Sequence, residues 1–420
     1  MGQNDASPYR VPFGRRGSLV GLADLEAVGA VVDSGEPLSA GAWRERFERR
    51  FRELTGARHA LSVTSGTVAL ELAIRLLDLA PGDEVIATPQ TFQATVQPLL
   101  DHDVTVRFCD VDPRTLNMDP EVLSSLITER TRAILLVHYG GCPAEMAEIV
   151  AQARRRGIVV VEDAAHALGA SYRGRSPGAL ADIGCFSFHS TKNITTLGEG
   201  GMITLARDDW AERIERLRGN EVDGVFAPVV PEQEPGLLPW MRFSADVYRR
   251  AVVGIRGAGT NATMSEAAAA VGLVQLDRLP EFTERRRRIA ARLDAAVSAF
   301  PLTRLQRAPE HSTHAYHLYT FFLTAGREVR ERFVHDLNRR GVEVQLRYFP
   351  LHLTPEWRQR GHGPGECPRA ERVWFDEHLN LPCHPDLSDD QVDHLVESVR
   401  EALAEAHRAT VPTSPRLAVR

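Results

Sequence analysis

A chain of 420 residues, 43% of them hydrophobic, has room for two or three domains with sizeable cores. Its net charge of −6 leaves no electrostatic footprint for nucleic acid, and no run approaches the ~18 apolar residues of a membrane span, so neither partner is expected. The start carries no basic-then-apolar signal peptide, and the five cysteines (Cys109, Cys142, Cys185, Cys367, Cys383) are odd in number and widely spaced, so a cytoplasmic protein with reduced core thiols and no metal site is expected.

The first 18 residues read as an N-terminal arm, its first dozen or so mobile. From there to residue 284 apolar β-rich runs alternate with helical stretches. Strands are predicted at His59–Val63, Glu84–Ala87, Thr105–Cys109, Ala133–Val137, Ile158–Val161, Asp182–Phe188 and Met202–Leu205, with helices at Thr67–Leu77, Pro120–Ile127 and Ala144–Arg155. This order demands right-handed crossovers and a mainly parallel, covered seven-stranded sheet, so the fold class is α/β. The glycine- and proline-rich stretch 219–259 reads as an insertion or lid. Two consecutive helices follow, Ser265–Leu279 and Thr283–Val297, and the run Arg285-Arg286-Arg287-Arg288 reads as the solvated face of the second. A smaller α+β domain is expected over 285–408, with strands Tyr319–Leu323 and Val342–Arg347 and helices Glu328–Arg340 and Asp389–His407. A mobile tail, 409–420, ends the chain.

Lys192 is the only lysine, although lysine and arginine together number 50. Wherever a positive charge suffices this chain uses arginine, so the surviving lysine marks a position where arginine will not do. A guanidinium stays protonated, whereas a desolvated amine can lose its proton and attack a carbonyl. Chance retention on the surface is the alternative. Against it stands the setting, Phe186-Ser187-Phe188-His189-Ser190-Thr191-Lys192-Asn193 before Gly198-Glu199-Gly200-Gly201.

Three further features join it. Leu61-Ser62-Val63 runs into Thr64-Ser65-Gly66-Thr67 and a helix, a turn whose free amides and hydroxyls suit a phosphate, or which merely caps the helix. Ile158–Val161 ends in Glu162-Asp163-Ala164-Ala165-His166, placing carboxylates where open α/β sheets bind ligands, unless Asp163 is only a helix cap. Thr91-Phe92 brings an aromatic ring to the same edge, though a lone phenylalanine is usually core. Together they supply what pyridoxal phosphate needs: an amine for the Schiff base, a carboxylate for the pyridine nitrogen, a ring to stack and a phosphate cup.

With these stand Pro81-Gly82-Asp83-Glu84-Val85-Ile86, Asp110-Val111-Asp112-Pro113, Gly259-Thr260-Asn261, Gln275-Leu276, Tyr348-Phe349-Pro350-Leu351-His352 and Leu381-Pro382. Through them nearly the whole chain resembles the DegT/DnrJ/StrS family of fold-type-I, pyridoxal-phosphate-dependent aminotransferases. These act on keto-sugars, usually nucleotide-linked, and on keto-cyclitols.

The resemblance implies Lys192 as Schiff-base lysine and proton shuttle, Asp163 as partner of the pyridine nitrogen and Phe92 as the stacking ring. Ser65, Gly66, Thr67 and Ser187 would hold the phosphate. His166 stands where members carry Gln or His close to the cofactor, the alternative being a hydrogen-bonded core histidine. Asn261 would reach the phosphate of the neighbouring subunit's cofactor, giving a homodimer with shared active sites. Thr263 occupies a position where an arginine is common. Two half-reactions follow: a donor, glutamate or glutamine, gives its amino group to the cofactor, and a ketone on the acceptor then receives it. Arg15, Arg16, Arg242 and Arg347 are expected near the mouth, candidates for clamping a nucleotide diphosphate. A keto-cyclitol acceptor of the aminoglycoside type and a non-catalytic, cofactor-binding regulatory or scaffold role are the alternatives. A family dehydratase would carry histidine in place of Lys192, and a cysteine desulfurase would need a mobile cysteine.

Overall fold

Strands covered by helices on both faces need near-continuous apolar runs, and the computed structural model shows how this chain arranges them. It describes residues 7–220, the backbone of 222–223 and 254–255, residues 257–408 and the backbone of 409–410. Helices α1 (Leu22–Asp33) and α2 (Ala42–Thr55) lead into strand β1 (His59–Val63) and helix α3 (Gly66–Leu76). Then come β2 (Glu84–Ala87), β3 (Thr105–Phe108), α4 (Pro120–Leu126), β4 (Thr131–Val137), α5 (Met146–Arg154) and β5 (Val159–Asp163). The short β6 (Ser171–Tyr172), β7 (Ile183–Ser187), β8 (Gly201–Leu205) and α6 (Asp208–Arg218) follow.

Seven of these strands form one sheet in the order β1-β8-β7-β5-β4-β2-β3. Strand β8 runs antiparallel to both its neighbours, so β1 and β7 share one direction, and β5, β4, β2 and β3 run parallel to β7. The mainly parallel α/β sheet expected from the sequence is the one observed. Its geometry has a consequence for function. The carboxyl ends of β1, β7, β5 and β2 lie along one edge, and there the four candidate features follow their strands.

Past the two-residue pair β9 (Val222–Asp223) and β10 (Gly254–Ile255) comes α7 (Glu266–Val297). Strand β11 (Thr303–Leu305), the two-residue β12 (Ser312–Thr313) and β13 (Tyr319–Leu323) precede α8 (Arg327–Arg339), α9 (Pro355–Arg358) and α10 (Pro368–Arg372). Strand β14 (His378–Leu381) and α11 (Asp389–Thr410) complete the order. Strands β11, β13 and β14 form a second, antiparallel sheet. Its core takes Ile289 and Leu293 of α7, Phe321, Phe333 of α8 and Leu395 of α11.

Several expectations are corrected. The two helices predicted around Pro280 are one, α7, which runs on through residues 284 and 285. An interior proline costs about 3 kcal/mol; burial of Leu276, Leu279 and Phe282 in one core and of Ile289 and Leu293 in another offsets it. The arginine run is not a solvated face. Arg286 is 2% exposed and donates to the carbonyls of Tyr316, Cys383 and, at 2.6 Å, Gly17. Residues 342–347 form isolated bridges, Val342 with Val11 and Gln345 with Asn380, in place of a strand. Within the arm expected to be mobile, Val11 is fully buried and its N–H donates to Gly341. Most of the expected lid and of the tail lies outside the described residues. All five cysteines are unpaired and buried. Among the described residues no helix is long and apolar enough to cross a membrane.

Candidate active site

Ser65 caps α3, its Oγ accepting from Val68 N at 3.2 Å, so the helix-cap reading of this turn is correct as far as it goes. The cap leaves the N–H groups of Gly66 and Thr67 without a carbonyl of their own helix, at its positive end. A Cβ on Gly66 would lie 2.7 Å from Ser187 Cβ, and one on Gly201 would lie 2.4 Å from Ser65 O. Only glycines allow this approach, which brings Ser187 against the start of α3, where Thr67 also lines the cavity. Such a cradle of donors fits a phosphate.

Asp163, the last residue of β5, is 5% exposed. Its Oδ2 accepts from Thr95 Oγ1 at 2.7 Å and its Oδ1 from Ala165 N at 3.1 Å. Thr91 Oγ1 lies 2.7 Å from Thr95 Oγ1, so the carboxylate is oriented by a chain of hydroxyls from the loop after β2. Phe92, in that loop, is 49% exposed and meets Tyr348 edge-on at 6.0 Å. It is a ring facing the cavity, not core.

The loop carrying Lys192 is pinned by its backbone. Phe188 N donates to Gly200 O, Ser190 N to Gly198 O and Lys192 N to His189 O. From the N-terminal arm Gly17 N donates to Ser190 O at 2.8 Å, and a Cβ there would lie 2.1 Å from Lys192 O. Burial pulls the Lys192 ammonium down to about 8; the attraction of Asp163 opposes this and the repulsion of Arg347 adds to it.

His166 is 2% exposed and stacks between His317, at 4.3 Å, and Tyr348, at 5.8 Å. Its Nε2 lies 3.2 Å from the Tyr348 hydroxyl, while its Nδ1 has no hydrogen-bond partner. Burial first, then the charges of Lys192 and Arg347, hold its pKa well below the usual imidazole range, so the ring is neutral at pH 7. His166 is therefore a packed, neutral histidine on the wall of the cavity, with its Nδ1 unmatched.

That cavity, of about 610 Å³, is lined by Ser65, Gly66, Thr67, Phe92, Asp163, His166, Ser187 and Lys192. Its size is in the range of small-molecule sites. Every site residue named from the sequence meets there except Asn261. The Asn261 side chain is exposed and off this wall, although Ala262 O beside it accepts from Thr64 N at 3.0 Å. Arg347 lines the same cavity as Lys192, while Arg15 and Arg16 are exposed and Arg242 lies outside the described residues. Sequence reasoning assigned no role to Thr95, His317 or Tyr348. Tyr348 stands inside a motif already quoted and Thr95 lies three residues past Phe92; nothing in the sequence marks His317.

The residues fit pyridoxal phosphate: a cradle for its phosphate, a fixed carboxylate for its ring nitrogen, an exposed ring for its face and an amine within one cavity. Comparison with known proteins agrees. Residues 20–400 match a model of the DegT/DnrJ/EryC1/StrS aminotransferase family. GDP-perosamine synthase of Caulobacter vibrioides is 34% identical over 373 residues, 87% of this chain and 91% of that protein. The crystal structure of the aminotransferase TlmJ from Streptoalloteichus hindustanus superposes with a TM-score of 0.82 at 32% identity, covering 94% of this chain and 100% of that one. The structure of S. venezuelae DesV in complex with a ketimine intermediate gives 0.78 at 31% identity, covering 90% and 94%. With a match that runs through both sheets and a cavity shaped for the cofactor, this chain belongs to the DegT/DnrJ/EryC1/StrS family of sugar aminotransferases and depends on pyridoxal phosphate.

Proposed function

We propose that this aminotransferase takes the amino group of glutamate or glutamine and gives it to a keto-sugar, nucleotide-linked, in amino-sugar or natural-product biosynthesis. The observation that carries the chemistry is the meeting of Lys192, Asp163 and the α3 cradle in one cavity. The nucleotide-linked acceptor is supported by the relative named as a GDP-perosamine synthase. Five buried, unpaired thiols suit a reducing compartment, in keeping with work in the cytoplasm.

Pyridoxal phosphate, when bound, would supply an aldehyde carbon to carry the amino group and an electron-withdrawing ring to stabilise the charge left on the donor's α-carbon. Lys192 would hold it covalently, Asp163 at the ring nitrogen, Phe92 on the ring face, and Ser65, Gly66, Thr67 and Ser187 at the phosphate. Lys192 Nζ removes the proton on the donor's α-carbon. With its pKa near 8, about a tenth of the amine is unprotonated at pH 7, enough for a general base. Donor turnover therefore rises as pH passes through about 8. The neutral His166 ring, tied at Nε2 to Tyr348, offers Nδ1 to the ligand. In this reading residues 19–284 form the cofactor domain and 285–408 a smaller domain that lends Arg347 and Tyr348 to the cavity.

Asn261 serves the partner's site in the same proposal: its side chain is exposed, and its backbone is tied beside the cradle through Ala262. The test of the acceptor is a half-reaction screen. Enzyme loaded with pyridoxamine phosphate is offered ketosugar nucleotides and keto-cyclitols, and the absorbance of the lysine-bound cofactor is followed. Its return with ketosugar nucleotides alone is the expected result; its return with keto-cyclitols alone contradicts the nucleotide-linked acceptor.

A further inference from the structure

Arg347 reaches the cavity from outside the seven-stranded sheet, and its backbone is held at both ends. Its N–H donates to Asn380 Oδ1 at 2.9 Å. Its carbonyl accepts from the Tyr139 hydroxyl, with His378 Nε2 at 3.0 Å. The side chain is steered too, for Nε donates to Gln345 Oε1 at 2.9 Å and the guanidinium lies 5.5 Å from the Phe13 ring centroid. The guanidinium also hydrogen-bonds the Tyr348 hydroxyl, and both residues line the cavity. Among the described residues Arg347 makes no ion pair with a carboxylate, which is unusual in a chain where arginines pair so widely. Asp163 does not fill that need, since Thr95 and Ala165 hold its two oxygens.

A fixed cation in a small cavity, with no carboxylate partner among the described residues, makes every other positive charge there costlier; burial is the larger cause of the lowered Lys192 and His166 pKa values, and Arg347 adds to it. An arriving anion relieves that cost. Resting on the reading that the donor is an α-amino acid, we infer that Arg347 binds the carboxylate attached to the donor's reacting carbon, through its two Nη groups. The choice of anion follows from bond count. This carboxylate is one bond from the carbon whose proton Lys192 removes, so its partner must share a wall with Lys192, as Arg347 does. A nucleotide diphosphate is separated from the reacting carbon by a sugar ring and cannot be met at the same point. The planar guanidinium supplies the paired donors that a carboxylate takes side by side.

The test separates binding from chemistry and donor from acceptor. L-2-methylglutamate has the carboxylate but no α-proton, so it binds without transfer; its Kd is measured by titration calorimetry on cofactor-loaded wild type, Arg347→Met and Arg347→Lys. The expected result is a Kd raised about 100-fold in Arg347→Met and about tenfold in Arg347→Lys, which keeps the charge but loses the fork. The apparent Kd of the acceptor from the second half-reaction should stay within about threefold of wild type in both. Wild-type analogue affinity in Arg347→Met, or loss confined to the acceptor, overturns the assignment and leaves the donor reading standing. If wild type itself neither binds the analogue nor reacts with any amino acid, the donor reading falls and the assignment with it. Arg347→Lys decides the matter should Arg347→Met fail to fold.

Discussion

The cavity has two walls of different making. One is the carboxyl edge of the large sheet, placed mainly by backbone: Gly66 and Gly201 close α3 onto β7 and β8, and Gly17 seats the N-terminal arm against Lys192 O. The other is made of Arg347 and Tyr348, positioned by side-chain contacts such as the Tyr348 hydroxyl beside His166 Nε2 and the Tyr139 hydroxyl on Arg347 O. A wall defined by backbone approach has no room for an added methyl. A wall defined by side chains can lose one contact at a time, so the cofactor's seat should fail abruptly and the substrate's seat by degrees.

The sharpest break is expected on the first wall. Asp163→Asn keeps the fold and much of the cofactor affinity, yet should slow proton removal from the donor by about a hundredfold or more, because a neutral amide cannot hold a buried pyridine nitrogen protonated. Thr95→Val removes one hydrogen bond to that carboxylate and should cost only about tenfold. Single-turnover rates with glutamate check both. Equal rates for Asp163→Asn and wild type would assign the ring nitrogen to another residue.

Next in size is Gly17→Ala. The new Cβ would meet Lys192 O at 2.1 Å and Thr191 O at 2.2 Å, and such overpacking costs about 1–3 kcal/mol. The Tm and the cofactor affinity should fall together. Gly29→Ala is the comparison, since nothing lies within 4 Å of a Cβ there, and in a helix interior the change should leave Tm equal or higher. A Gly17→Ala protein with wild-type cofactor affinity would show that the arm does not brace the Lys192 loop.

How much of this was legible in the sequence follows the same division. The seven strands and the four features that meet in the cavity are legible, because a strand ends where its apolar run ends and these residues follow within a few positions. Helix α7 reads locally as two because Pro280 looks like a breaker, and only the cores on either side of it hold the helix together. Arg286 reads as solvated because a run of four arginines says nothing about which one finds carbonyls; its partners, Gly17, Tyr316 and Cys383, lie in three distant segments. Arg347, expected near the mouth, lines the cavity. Its distance from Lys192 along the chain hides that they share one cavity.

The smallest expected effect concerns the edge between subunits. Lys192→Ala and Asn261→Ala homodimers should both be impaired, Asn261→Ala the less, while a mixed dimer carries both lesions in one site and neither in the other. Co-refolding should restore up to about half of wild-type activity per mixed dimer, as a two-fold assembly with shared sites requires. No recovery, with heterodimers verified by mass, would confine Asn261 to its own subunit.

The central claim is that the single lysine of this chain carries the chemistry. Borohydride reduction of cofactor-loaded protein followed by peptide mapping tests it most directly, since Lys192 is the only side-chain amine in 420 residues. One pyridoxyl group per chain, on the peptide containing Lys192 and missing from Lys192→Arg, is the predicted result. Bound cofactor that cannot be fixed by reduction, or a label that persists in Lys192→Arg, would contradict it.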